Sequence, residues 1–419
     1  MTSKERMLAA IRREEPDHVP LYSWVFGFTP PKHLRWSRDG AEVSHWCTGR
    51  MEHIHTLPEP WGLADDFRRV EAWLSLGVDD VLDVSVPWAM SDHASYRDAS
   101  SPPGSPTDHE LLRREYQTPD GPLTHTVRRT HEEQGEGWVI QPDHVPLFED
   151  FNISRATHHL VSSPEDVARV RWLYCRPGPP EQERLRERMT AARRFAEERG
   201  VMVQAWSAFG VDAAVWMAGA EGAVILCMEH LDSFVQLLDI IHDADRARTE
   251  LALALGADMV VARGWYSSTD FWSPRIFRDL FKPKIAELAA LAHARGKLFG
   301  YTMTTGVMAL GMELAEAGVD LLYYVDPVQD RVDLAEAAKR FRGRMAVAGG
   351  VNSSVTLGAG SAAEIRAAVK QALAAFGSGG GFVLSPVDAL FPDTPAAAVE
   401  TMIQAWREGM GNNECRPKK

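Results

Sequence analysis

The last third of the chain alternates short apolar runs of strand length with amphipathic helical segments, and this alternation constrains the fold more than any other feature. The runs are residues 297–302, 319–326, 345–351 and 380–386, separated by stretches rich in Ala, Glu and Lys. Alternation of this kind implies a parallel sheet whose crossovers are helices. Four earlier runs, residues 18–24, 78–86, 201–207 and 257–263, bring the strand count to eight, the number a closed (β/α)8 TIM barrel needs. The expected fold class is therefore α/β, with residues 1–419 forming a single TIM-barrel domain. A long insertion, residues 88–200, lies between the second and third strands. It holds a Pro/Ser/Gly-rich loop at 100–106 and a turn at Pro119-Asp120-Gly121 flanked by extended arms, which reads as a β-hairpin. Residues 179–199 are heavily charged with apolar positions at helical spacing, the pattern of a solvated outer helix.

With 419 residues, 45% hydrophobic and 25% charged, the chain is long enough for one large core. A net charge of −13 excludes the concentrated basic face that nucleic acid or an anionic membrane requires. Small molecules or proteins are the expected partners. The first 13 residues form an amphipathic helix capped by Ser3, without the apolar stretch of a signal peptide. No span reaches membrane length. The 4 cysteines, Cys47, Cys175, Cys227 and Cys415, form no CxxC pair, which suits a reducing cytoplasm. No phosphate loop, GxGxxG or GxSxG motif supports nucleotide use or serine hydrolysis.

In a barrel the chemistry sits where strands end and helices begin. That rule gathers Trp24, Asp83, Trp206, Arg263, Trp265, Tyr266, Tyr301, Thr302, Tyr324, Asp326, Asn352 and Asp388 at one mouth. Aromatic walls with a few polar points suit a flat or apolar ligand oriented by hydrogen bonds. Asp83, Tyr301 and Asp388 are the candidate catalytic groups. Asp83 closes an apolar strand and reads as an acid, a base or a cation stabiliser, or else as a helix cap or ion-pair member. Arg263 reads as a clamp for a carboxylate or as an internal partner of Asp388. Tyr301 and Tyr324 read as hydrogen-bond donors or as packed rings. Apart from these, His45-Trp46-Cys47 with His53-Ile54-His55 reads as a metal-binding or a plain surface cluster, as do His144 and His158-His159.

Three stretches carry a family resemblance: Glu5 to Pro20 with its Glu15-Pro16-Asp17-His18-Val19-Pro20 close, the loop Gly349 to Ser353, and Gly379 to Pro395 with Ser385-Pro386 and Pro392-Asp393-Thr394-Pro395. Together they resemble the uroporphyrinogen decarboxylase superfamily, and the methyltransferase branch more than the true decarboxylases. The resemblance implies a TIM barrel, a cytoplasmic and often dimeric enzyme, and methyl transfer among corrinoid proteins, thiols and methylated or methoxylated compounds. In the thiol-activating methyltransferases, zinc is held by His-x-Cys after the fifth strand and by a Cys in the closing loop. Those positions fall here on Thr302, Thr304 and Asp388, so no zinc is expected. In the decarboxylases, an aspartate follows the second strand, a tyrosine the third, a histidine lies in the closing loop and arginines near the N-terminus hold the substrate. Asp83 matches the aspartate, Trp216 stands for the tyrosine, Asp388 for the histidine, and Tyr22-Ser23-Trp24 lacks the arginine.

Three functions follow. The first is a methyltransferase with a corrinoid (cobalamin), or a protein carrying one, as methyl partner. The second is a cofactor-free decarboxylase of a small aromatic or heteroaromatic acid, with Arg263 orienting the carboxylate. The third is a barrel that binds a ligand without turning it over.

Overall fold

The computed structural model describes residues 1–38, 40–43, 46–47, 63–102, 104, 109–129, 155–377 and 379–411. His45, His53, His55, His144, Cys415 and the side chain of Cys47 lie outside the described residues. Seven parallel strands form one sheet in sequence order: β1 (Val81–Ser85), β2 (Met202–Ala208), β3 (Met259–Ala262), β4 (Leu298–Thr302), β5 (Leu321–Val325), β6 (Ala346–Asn352) and β7 (Phe382–Val387). All seven are buried along their whole length. Burial on both faces is why they read as continuous apolar runs.

The eighth run makes bridges in place of a full ladder. Leu21 and Val25 pair in parallel with Leu384 and Leu390, and the Leu21 carbonyl accepts from the Asp79 N–H at 3.0 Å. The N-terminal segment thus bonds to β7 on one side and to the entry of β1 on the other, giving a TIM-like barrel. Helices Leu231–Ala254, Lys282–His293, Val307–Glu316, Leu334–Phe341 and Ala362–Phe376 each precede the next strand. Between β1 and β2 the chain forms an antiparallel four-stranded sheet, Ser95–Ser101, Leu111–Thr118, Gly121–Arg128 and Ala156–His158, and then the helix Pro179–Arg199. The first helix, Ser3–Ile11, is capped by Thr2, which accepts from the Glu5 N–H at 3.2 Å. Ser3 is instead buried and bonded to the Asp80 backbone, because the extended N-cap geometry falls one residue earlier than expected. Cys175 and Cys227 are free thiols. Among the described residues no single helix is long and apolar enough to cross a membrane.

The upper ends of β1 and β2 are fastened by a buried polar knot. Arg248 donates to the Val86 carbonyl at 2.6 and 3.0 Å, to the Tyr174 hydroxyl at 2.6 Å and to Asp245 at 3.0 Å. Asp245 in turn accepts from the Phe209 and Gly210 N–H groups at 2.9 and 2.8 Å. Removing the cation leaves a buried carboxylate uncompensated, which is expensive. Arg248→Leu is expected to lower unfolding free energy by about 3–5 kcal/mol, measured by chemical denaturation. A loss under about 1 kcal/mol would show that the knot does not hold these strand ends.

Candidate active site

Side chains alternate across a strand, so residues two apart share a face. Asp83 on β1 lies directly opposite Gln204 on β2, and Trp206 follows two residues later on the same face. Both donate to one carboxylate oxygen: Gln204 Nε2 and Trp206 Nε1 each lie 2.8 Å from Asp83 Oδ1. Tyr323 on β5 donates its hydroxyl to Gln204 Oε1 at 2.7 Å, which turns the amide so that its NH2 faces Asp83. The other oxygen, Asp83 Oδ2, is buried without a hydrogen-bond partner, as are the Tyr22 hydroxyl and the Trp24 indole nitrogen. Each such orphan costs about 1–3 kcal/mol unless something fills its valence.

Above Asp83 the rings close in. Trp24 lies 5.5 Å from Trp206 and 6.0 Å from Trp265, and Trp206 and Trp265 are stacked at 6.0 Å. Tyr324 joins them 6.3 Å from Trp265 and 5.2 Å from Tyr323. A register irregularity between Tyr323 and Val325 breaks the alternation here. Asp83 is only 4% exposed, and burial pushes its carboxyl up to about 7 against the opposing pull of Arg69 and the Trp206 hydrogen bond. The charged neighbours Asp80 and Asp66 push it further up. Burial also holds Tyr22, Tyr323 and Tyr324 well above the ordinary phenol range, so these hydroxyls act as neutral donors. Arg263 stacks on Trp216 and Trp265, its guanidinium carbon 4.9 and 4.4 Å from the ring centres, with Asp212 Oδ2 at 4.0 Å. Asp388, in the left-handed region at φ 72°, accepts from the Trp265 indole at 3.1 Å.

A model of the family described as Uroporphyrinogen decarboxylase (URO-D) matches residues 148–409, more than half of the chain. The chain belongs to the uroporphyrinogen decarboxylase family. Two relatives, each a methylcobamide:CoM methyltransferase MtaA, come from Methanosarcina barkeri and from its strain Fusaro. Each is 28% identical over 184 residues, 42% of this chain and 49% of the relative. The match thus spans about half the length of those relatives. The solved structure of a methyltransferase from Methanosarcina mazei has a TM-score of 0.57 and 18% identity, covering 97% of this chain and 99% of that one, a likeness of fold.

Within this family member, the expected mouth residues divide. Trp24, Asp83, Trp206, Arg263, Trp265, Tyr324 and Asp388 come together, with Trp216 behind Arg263. Tyr301 does not join them. Its strand neighbour Gly300 shares a face with Val261 and Tyr323 of the two adjacent strands, whereas Tyr301, on the opposite face, borders a cavity between the sheet and the outer helices with Leu238, Ile285 and Leu288. Its hydroxyl donates to Ser267 Oγ at 2.9 Å. Thr302 Oγ1 accepts from the Gly264 N–H at 3.0 Å, the Tyr266 N–H is held by Asp212 at 2.9 Å, and Asn352 donates to Asp326 at 2.8 Å. These three fasten loops. His158 and His159 border a separate cavity with Gly219, Leu226 and His230, about 440 Å³ in volume. Among the described residues no three His, Cys, Asp or Glu side chains are grouped as a metal site would require. Sequence reasoning missed Tyr22 and Gln204, although each lies two residues before a tryptophan that was found.

The sign of the pH effect follows from the raised pKa. Folding favours the protonated Asp83, so its contribution is full below the ordinary value of 3.8 and is lost as pH climbs through about 7. Asp83→Asn keeps an oxygen for both donors and cannot ionise. Relative to wild type, the variant should therefore gain roughly 2–3 kcal/mol of stability between pH 5 and pH 8, read from denaturation midpoints at the two pH values. A difference that does not change with pH would place the Asp83 pKa in the ordinary range.

Proposed function

We propose that this protein is a methyltransferase moving a methyl group between a small methylated or methoxylated compound and a corrinoid, the corrinoid entering as substrate, free or carried by a partner protein. The observation that carries the reading is Asp83, buried under three tryptophans with one oxygen committed and the other unpartnered. The likeness to the methylcobamide:CoM methyltransferases supports the reaction class. When methyl leaves an ether or an amine, the heteroatom left behind takes up a proton. A carboxyl with a pKa of about 7 holds that proton at neutral pH and can deliver it from Oδ2. The Tyr22 hydroxyl offers a second hydrogen bond, and the tryptophan wall excludes water from the leaving atom.

The residues at the family's zinc positions do not fit a zinc ion. Thr302 and Thr304 offer neutral hydroxyls, the Thr302 oxygen already accepts from Gly264, and one Asp388 oxygen already accepts from Trp265. A stable zinc site needs three or four nitrogen, sulfur or carboxylate ligands. The proposed transfer therefore runs without metal activation of a thiol. Decarboxylation of an aromatic acid has weaker support, because Arg263, its expected carboxylate clamp, is already stacked on two tryptophans beside Asp212.

The test is visible absorption of purified protein mixed with reduced cobalamin or methylcobalamin and a panel of methylated donors and acceptors. Donor-dependent conversion of the corrinoid spectrum is expected. Asp83→Asn should slow it by about 100-fold or more, whereas Tyr301→Phe should stay within about threefold of wild type. No corrinoid response to any donor, or corrinoid-free release of carbon dioxide from a small aromatic acid, would overturn the reading.

A further inference from the structure

We propose that Tyr323 is a positioning residue for the acid: it fixes the Gln204 amide so that the Asp83 proton resides on Oδ2, the oxygen that delivers it. This deepens the methyltransferase reading and rests on it for what the proton is used for. A carboxyl has two oxygens, and at Oδ1 the neighbours leave no place for a proton. The Trp206 indole nitrogen, 2.8 Å from Oδ1, has a hydrogen to give and no means of accepting one. Gln204 is ambiguous, because its amide carries an acceptor at one end and donors at the other. With its NH2 toward Asp83 it is the second donor, at 2.8 Å. Turned by half a rotation, it would offer Oδ1 an acceptor, and a proton placed there would be bonded to Gln204 and withheld from a substrate.

Tyr323 decides between the two arrangements. Its hydroxyl lies 2.7 Å from Gln204 Oε1, and burial keeps it well above the ordinary phenol range, so it stays protonated and donates. In the turned arrangement that buried hydroxyl would lose the acceptor it now has, which is costly. The other groups facing Asp83 do not make this choice. Arg69 on the helix Leu63–Ser75 favours the charged carboxylate, while Asp66 on the same helix and Asp80 at the entry to β1 favour the neutral acid. Tyr22 of the N-terminal segment and Tyr324 of β5 stand near it as neutral phenols. These groups set how readily the proton leaves without selecting the oxygen that holds it.

In delivery the Oδ2–H bond breaks, its electron pair stays on the carboxylate, and the proton joins the electron pair of the departing heteroatom. The charge so formed is shared with Oδ1, where both donors are already in place. With the amide turned, one of those donors would be missing when the charge appears.

The test is carboxyl-selective infrared spectroscopy of the full chain at rest, with the Asp83→Asn spectrum subtracted. No methyl donor or corrinoid is present, so a failure of methyl transfer leaves the result standing. In the wild-type protein the C=O of neutral Asp83 should absorb at the lowered frequency of a carbonyl accepting two hydrogen bonds, because Oδ1 is then the carbonyl oxygen. A band at the frequency of a free carbonyl would place the proton on Oδ1 and overturn the proposal without recourse to a further variant. Tyr323→Phe should raise the titration midpoint of Asp83 by about one pH unit, a tenfold weaker acid, because the charged form loses a held donor. Gln204→Met should raise it in the same direction, and the double variant should add nothing to Gln204→Met, since Tyr323 acts through the amide. A packing defect that merely admitted water would lower the midpoint toward the ordinary aspartate value. An unchanged or lowered midpoint in Tyr323→Phe, or additive shifts in the double variant, would contradict the positioning role.

Discussion

A carboxylate inside a parallel barrel is the constraint from which the rest of the site follows. The interior of such a barrel is normally filled by layers of branched apolar side chains, and Asp83 occupies one of those positions on β1. Its burial is tolerated because Gln204 and Trp206 supply two donors to one oxygen. Gln204 can only do so if its amide is turned the right way, and Tyr323 sets that orientation from across the barrel. The relay from Tyr323 through Gln204 to Asp83 thus ties three strands to one polar point. It leaves the second oxygen unpartnered beside two further orphan donors, Tyr22 and Trp24. A core built only for stability would have filled these valences or omitted the groups.

The loops around the mouth are held by a recurring device, an aspartate that accepts from backbone N–H groups of a neighbouring loop. Asp245 holds Phe209 and Gly210, Asp212 holds Trp265 and Tyr266, Asp330 holds Gly306 and Val307, and Asp326 does the same within its own loop, to Val328. Part of the excess of acidic residues behind the −13 net charge therefore serves to fasten loop backbone. This also explains why Asp326 resembled a mouth residue in the sequence: a carboxylate closing a strand is needed for fastening as well as for chemistry. Asp83 differs from these four because its partners are side chains inside the barrel.

Seven of the eight expected strands are ladder strands. Their legibility has a physical basis, since sheet strands covered on both faces must be apolar throughout. The eighth run, at the N-terminus, forms no ladder strand of the sheet among the described residues: it is tied by the Leu21 bridge to Leu384 of β7, by the Val25 bridge to Leu390 beyond the end of β7, and by the Asp79 N–H to the Leu21 carbonyl. Asp83 was legible for the same reason the strands were, as a charge in an apolar run. Tyr301 was misplaced although the information was present: neighbouring residues on a regular strand face opposite ways, so Tyr301 and Thr302 could not both line one surface. Tyr323 and Tyr324 show the limit of that rule, because a register irregularity at β5 puts both rings in one cluster, and no local residue pattern announces it. Tyr22 and Gln204 could have been found by applying the same parity to Trp24 and Trp206. The partnering of Arg263, just past β3, was not legible, since it depends on Asp212 and Trp216 packing against it from the helix Val211–Ala218.

Asp83 is at the centre of the site as a buried acid whose carboxyl is pushed up to about 7. The most direct test is carboxyl-selective infrared or carbon-13 titration of the protein, with the Asp83→Asn spectrum subtracted to isolate one group. A carboxyl band that converts to carboxylate with a midpoint near 7 is the predicted result. A midpoint close to the ordinary aspartate value would mean that Asp83 is permanently charged and solvated, which contradicts the site described.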